Sequence, residues 1–146
     1  MYRQYLLDLV QKWTDGEHGE VANELSKKSY LYLPFFCADL YQTIPDTTQA
    51  LIELTTELSL VEEVHLEPSI LESRIEELME EWSTGTLDNQ DHYDNVARQL
   101  LERPRCETIS FCAALIMKYE ENHKDEWNMF RLGLLAGAFV KNGAST

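Results

Sequence analysis

Apolar residues recur every three or four positions along almost the whole chain of 146 residues. This spacing places them on one side of an α-helix, whereas a half-buried strand needs strict alternation. Short turns that contain Gly, Pro or Asp separate the periodic stretches. A chain of this length can bury one substantial core without disulfide bonds. The sequence therefore predicts an all-α fold, in which residues 1–146 form a single-domain compact helical bundle of about seven short helices.

The longest periodic stretches run over residues 47–64, 69–82, 107–121 and 125–141. Ser69 followed by Glu72 matches a capping box and predicts the start of the second of these helices. Helix 125–141 is apolar on nearly all sides, which is typical of a central helix, and we expect it to lie in the middle of the bundle. Its small residues leave a homodimer contact open as an alternative; they are Gly133, Ala136, Gly137 and Ala138.

Negative charge is concentrated in the middle third of the chain. The net charge is −14, and residues 43–94 contain fourteen acidic residues but only one basic residue, Arg74. A surface with this charge repels the phosphates of nucleic acids and attracts a basic protein or a cation. We therefore expect no direct nucleic-acid binding, and we expect helices 47–64 and 69–82 to form an acidic outer face.

Carboxylates recur at one-turn spacing in helix 69–82. Glu72, Glu76 and Glu80 are four residues apart, and like charges at this spacing destabilise a helix by a few tenths of a kcal/mol per pair. This cost suggests a cationic binding partner. The sequence predicts a non-catalytic interaction protein, of the inhibitor, immunity, adaptor or chaperone type, whose carboxylates mimic phosphates. The predicted partner-binding residues are Glu72, Glu76, Glu80, Asp88, Asp91 and Asp94.

An alternative interpretation makes some of these carboxylates a magnesium site. Glu76-Glu77-x-x-Glu80 followed by Asp91-x-x-Asp94 resembles the E-E-x-x-E…E-x-x-D cluster of the all-α nucleoside-triphosphate pyrophosphohydrolases. The resemblance implies that these five residues hold Mg²⁺ against a nucleotide triphosphate in a hydrolase. The sequence departs from that pattern, because Asp91 replaces a Glu, the spacer has only ten residues, and no Lys or Arg other than Arg74 lies nearby to hold the phosphates.

A third interpretation is a dimetal helical bundle. Glu62 precedes His65 by three residues, and Glu120 precedes His123 by the same spacing, which carboxylate-bridged dimetal bundles use. Both pairs are predicted at helix C-termini, where solvated His and Glu are common. We therefore expect a cap or a surface position for these residues.

The remaining chemistry-bearing residues give no catalytic assignment. The chain has three cysteines, Cys37, Cys106 and Cys112, and no C-x-x-C pair, which favours reduced thiols in the cytoplasm. Cys106 follows Arg105 near a helix start, a setting that lowers a thiol pKa, and is expected at the surface. The N-terminal stretch does not resemble a signal peptide, and no apolar run reaches the length of a membrane span. A cytoplasmic protein without a cofactor is expected.

Overall fold

The computed structural model describes residues 2–119 and 125–144, and every regular element in these ranges is an α-helix. The all-α prediction is confirmed, with eight helices in the described residues where about seven were expected. The helices are α1 (Tyr2–Thr14), α2 (His18–Leu25), α3 (Tyr32–Thr43), α4 (Thr47–Val61), α5 (Pro68–Thr84), α6 (Asp91–Leu101), α7 (Arg105–Tyr119) and α8 (Asp125–Lys141).

The central helix is α7, not the helix 125–141 that the sequence favoured. α7 packs against α3, α4, α5, α6 and α8, and its buried residues lie on most of its circumference. α8 packs mainly against α3 and α6 and leaves Phe130 and Val140 exposed. The sequence was misleading because α7 carries Glu107, which looks like a surface residue but is almost fully buried.

Glu107 is tolerated in the core because Arg74 of α5 neutralises it. The guanidinium donates two hydrogen bonds, from Nε to Oε1 at 2.9 Å and from Nη2 to Oε2 at 2.8 Å. Paired, parallel hydrogen bonds of this kind are the strong form of an ion pair. The single base of the acidic segment is therefore engaged by another helix and does not neutralise the carboxylates around it.

The start of α5 also differs from the prediction. The helix begins at Pro68, and no side-chain capping bond is made at its N-cap, Glu67. Proline suits the first helical position because its missing N–H would have no partner there. The capping box of Ser69 and Glu72 is therefore wrong, and Glu72 is an exposed residue of the first two turns.

α4 and α5 both pack against α7 and flank one strip of its surface. This strip contains Ser110, Ala113, Ala114 and Met117, whose spacing places them on one side of the helix. The small side chains leave space between the flanking helices. Met117, at the end of this strip, is 56% exposed.

Within the described ranges, no helix combines the length and the apolar character that a bilayer span requires.

Candidate functional site

Three exposed glutamates form a column along α5. Glu72, Glu76 and Glu80 lie on one side of the helix, and each is exposed. Successive carboxylates are four residues apart, so the column rises about 12 Å along the helix axis. No salt bridge reaches any of the three from the described part of the chain. We call these three residues the α5 carboxylate column.

The column forms the rim of a long groove between α5 and α7. The groove has a volume of about 940 Å³, and its α5 wall consists of Leu71, Ile75 and Met79. Each of these apolar residues directly precedes a glutamate of the column, so the two stripes run side by side along the helix. The strip of α7 described above forms the floor, and Ile52 of α4 lies at the far side; we call this feature the α5–α7 groove.

The apolar lining of the groove is partly open to water. Ile52 and Met117 are 51% and 56% exposed, whereas Leu71 and Met79 are half-buried. Isolated exposed apolar residues are common, but a continuous apolar groove with a charged rim is typical of an interaction site. Lys118 is the one basic residue among the described residues that line the groove.

The three predicted aspartates do not line this groove. Asp91 and Asp94 lie in the first turn of α6, and Asp88 lies in the preceding turn. Asp88 and Asp91 are exposed, but Asp94 is half-buried and pairs with Lys141 of α8 at 3.2 Å. The structure thus brings together only the three glutamates of the predicted partner-binding set.

The five carboxylates of the magnesium interpretation are also divided. Glu77 lines a small depression with Arg74, Gln99 and Arg103, away from Glu76 and Glu80. Among the residues that the structure describes, no group of three or more His, Cys, Asp or Glu could hold a metal ion. The resemblance to the pyrophosphohydrolases therefore gains no support from the arrangement of Glu76, Glu77, Glu80, Asp91 and Asp94.

Glu62 is the C-cap residue of α4, in agreement with the expected cap position, and its carboxylate also contacts the start of α7. Its carboxylate accepts hydrogen bonds from the backbone N–H groups of Arg105, at 2.9 Å, and Cys106, at 3.1 Å. These groups begin α7, where the first N–H groups have no partner within the helix. His65 is 89% exposed and lies beside Glu67. Glu62 therefore contacts the start of α7, whereas His65 lies at the surface. Glu120 and His123 lie outside the described residues.

The cysteines are all buried, which corrects the expectation of a surface thiol at Cys106. Burial, the charge of Glu62 and then that of Glu107 raise the pKa of Cys106 to about 12. Burial and a contact with Cys112 raise the pKa of Cys37 well above its usual value. The start of α7 does not lower the thiol pKa of Cys106, because burial disfavours the thiolate and the carboxylate of Glu62 already occupies that helix terminus.

Comparisons of the chain with protein-family models, with curated proteins and with solved structures found no match.

The groove floor was not predicted from the sequence, although a signal for its wall is present. The dipeptides Leu71-Glu72, Ile75-Glu76 and Met79-Glu80 repeat every four residues, so an apolar stripe borders an acidic one. The floor gives no comparable signal, because Ser110 and Ala114 are small residues among mostly buried neighbours on α7. Their exposure depends on how far apart α4 and α5 lie.

Proposed function

We propose that this chain is a non-catalytic interaction protein that binds a basic partner protein through the α5 carboxylate column. The observation that supports this proposal is the combination of three exposed carboxylates, which no salt bridge reaches from the described part of the chain, with the apolar α5–α7 groove beside them. An inhibitor or immunity protein for a nucleic-acid-binding enzyme, an adaptor and a chaperone all use such a surface. Carboxylates at regular spacing then occupy the positions that phosphates take on the basic partner.

Electrostatic attraction controls the rate of encounter in such a complex. The fourteen acidic residues of segment 43–94 create a negative field that steers a cationic surface towards α5. Salt screens this field over a distance of roughly 8 Å at physiological ionic strength. We expect association to slow as salt increases, because charge on the rim of an interface acts mainly on the association rate.

Neutralising the column tests the proposal. The variant E72Q/E76Q/E80Q removes three charges and retains side chains of the same shape and similar helix propensity. The matched control E63Q/E77Q/E102Q removes three charges from exposed glutamates that do not line the groove. Both variants have the same net charge, so a difference between them reports the position of the charge and not its total.

The assay is affinity capture from a lysate of the source organism at two salt concentrations, followed by quantification of each captured protein. We expect a basic protein that the wild type and the control capture equally and that the column variant loses. We also expect high salt to reduce its capture by the wild type. Equal capture by both triple variants would show that the α5 carboxylate column is not the binding surface.

A further inference from the structure

The shape and lining of the α5–α7 groove indicate which kind of segment the partner contributes. We propose that the groove binds one amphipathic α-helix, with its apolar side chains on the groove floor and its Lys or Arg side chains against the α5 carboxylate column. This inference rests on the proposed function, because the column determines the sign of the partner's charge.

The groove lining requires apolar side chains from the partner. Leu71, Ile75 and Met79 line one side of the groove, and the exposed Met117 lies on its floor. A partner segment with only charged side chains would make no apolar contacts with these residues. A partner helix with one apolar side chain per turn matches this wall, whose residues are also four positions apart.

An extended segment fits the groove less well than a helix does. The lining is made of side chains on α5, α7 and α4, so it offers no sheet edge to pair with a strand. An extended chain would lose water from its backbone N–H and C=O groups without gaining partners. A helix satisfies these groups internally, and helix-in-groove binding uses apolar anchors at positions i, i+3 or i+4, and i+7.

Charge complementarity argues against a second copy of this chain as the occupant. A two-fold contact through the groove would place the same patch of both copies in one interface. The two columns of Glu72, Glu76 and Glu80 would then lie in the same interface with six like charges. A basic helix supplies the opposite charges, and its Lys or Arg residues at i, i+4 spacing follow the column over its whole length.

Three fluorescently labelled peptides of about four helical turns serve as probes. The first is amphipathic, with Leu on one face and Lys on both flanks. The second has the same composition with its Leu residues distributed around the helix, and the third replaces every Leu with Ala. Fluorescence anisotropy measures their affinity for the folded wild-type chain. We expect the amphipathic peptide to bind about tenfold more tightly than the other two, or more. Removal of a single apolar anchor residue from an interface can cause a loss of affinity of this size.

Substitutions in the groove test the location of this binding. The variant I52Q/M117Q changes two residues that are 51% and 56% exposed, so it preserves the core. The control L60Q/V140Q changes two residues that are 68% and 50% exposed and lie outside the groove. We expect the groove variant alone to reduce the affinity for the amphipathic peptide, by about tenfold. Circular dichroism melts of both variants confirm that they are folded.

The outcomes separate this inference from the proposed function. If the amphipathic peptide binds no more tightly than its distributed isomer, or if both double variants bind it equally, the groove does not accept a helix. That result leaves the proposed function supported, provided that E72Q/E76Q/E80Q still loses the captured protein. If this column variant retains capture, the proposed function itself is wrong, whatever the peptides do.

Discussion

Replacing Arg74 with Met removes the guanidinium that forms an ion pair with the buried carboxylate of Glu107. In the wild type, the side chain of Glu107 is 3% exposed, and that of Arg74 is 31% exposed. The methionine side chain keeps much of the apolar length of arginine and donates no hydrogen bond. The substitution therefore leaves a carboxylate in the core without the two donors that solvate it.

The expected loss of stability follows from this geometry. Breaking a buried ion pair by removing one partner costs about 3–5 kcal/mol, because an uncompensated charge stays in the core. Since water reaches a third of the Arg74 side chain, we place R74M at the lower end, about 3 kcal/mol. For a chain of this size, that corresponds to a decrease in Tm of roughly 6–12 °C. The double variant R74M/E107M should recover most of the loss and lie within about 1 kcal/mol of wild type.

Urea denaturation, monitored by circular dichroism, gives the free energy of unfolding for each variant. The single variant E107M completes a double-mutant cycle. We expect a coupling energy of about 2–3 kcal/mol and an unchanged denaturant slope. The control R98M makes the same substitution at an exposed arginine that does not line the depression around Glu107, and it should change the stability by less than about 0.5 kcal/mol. A loss below about 1 kcal/mol in R74M, or additive effects of R74M and E107M, would refute the reasoning that this pair holds α5 to α7.

Three further predictions concern the helix terminus, the thiols and the column. E62A should destabilise the chain by about 1–2 kcal/mol in urea denaturation, because two N–H groups of α7 lose their acceptor; an unchanged stability would rule out this cap. Cys37, Cys106 and Cys112 should not react with Ellman's reagent in the folded chain, and all three should react in denaturant. Because the pKa of Cys106 is raised from 9.0 in the unfolded chain to about 12 in the fold, the folded state retains a proton that the unfolded state loses, and stability should fall as pH rises through this window. E76Q should raise the Tm by about 1–3 °C at low salt, since it removes two like-charge pairs, and a lower Tm would contradict the idea that the column is destabilising.

The carboxylate column was predictable because a helix converts sequence spacing into geometry. Glu72, Glu76 and Glu80 are separated by four residues, which on any α-helix places them on one side. The same rule could not place Asp88, Asp91 and Asp94 relative to them, because a turn of unknown path separates α5 from α6. The structure puts those aspartates away from the groove.

The buried charges could not be predicted, because each depends on a residue distant in sequence. The sequence alone places Glu107 at the surface, because its partner Arg74 lies thirty-three positions earlier. Glu62 reads as the solvated end of α4 until the start of α7, more than forty positions later, is placed over its carboxylate. Cys106 is buried and not at the surface as expected, and burial together with the charge of Glu62 disfavours its thiolate.

The sequence by itself determined that the chain is all-helical, that its negative charge lies in the middle third, and that three glutamates share one face of α5. These properties depend on periodicity and composition, which are local. Only the tertiary structure decided that α7 is central, that Arg74 is taken out of the acidic face, and that small residues of α7 open a groove beside the glutamates. These properties depend on which helices meet, and the packing of distant segments determines that.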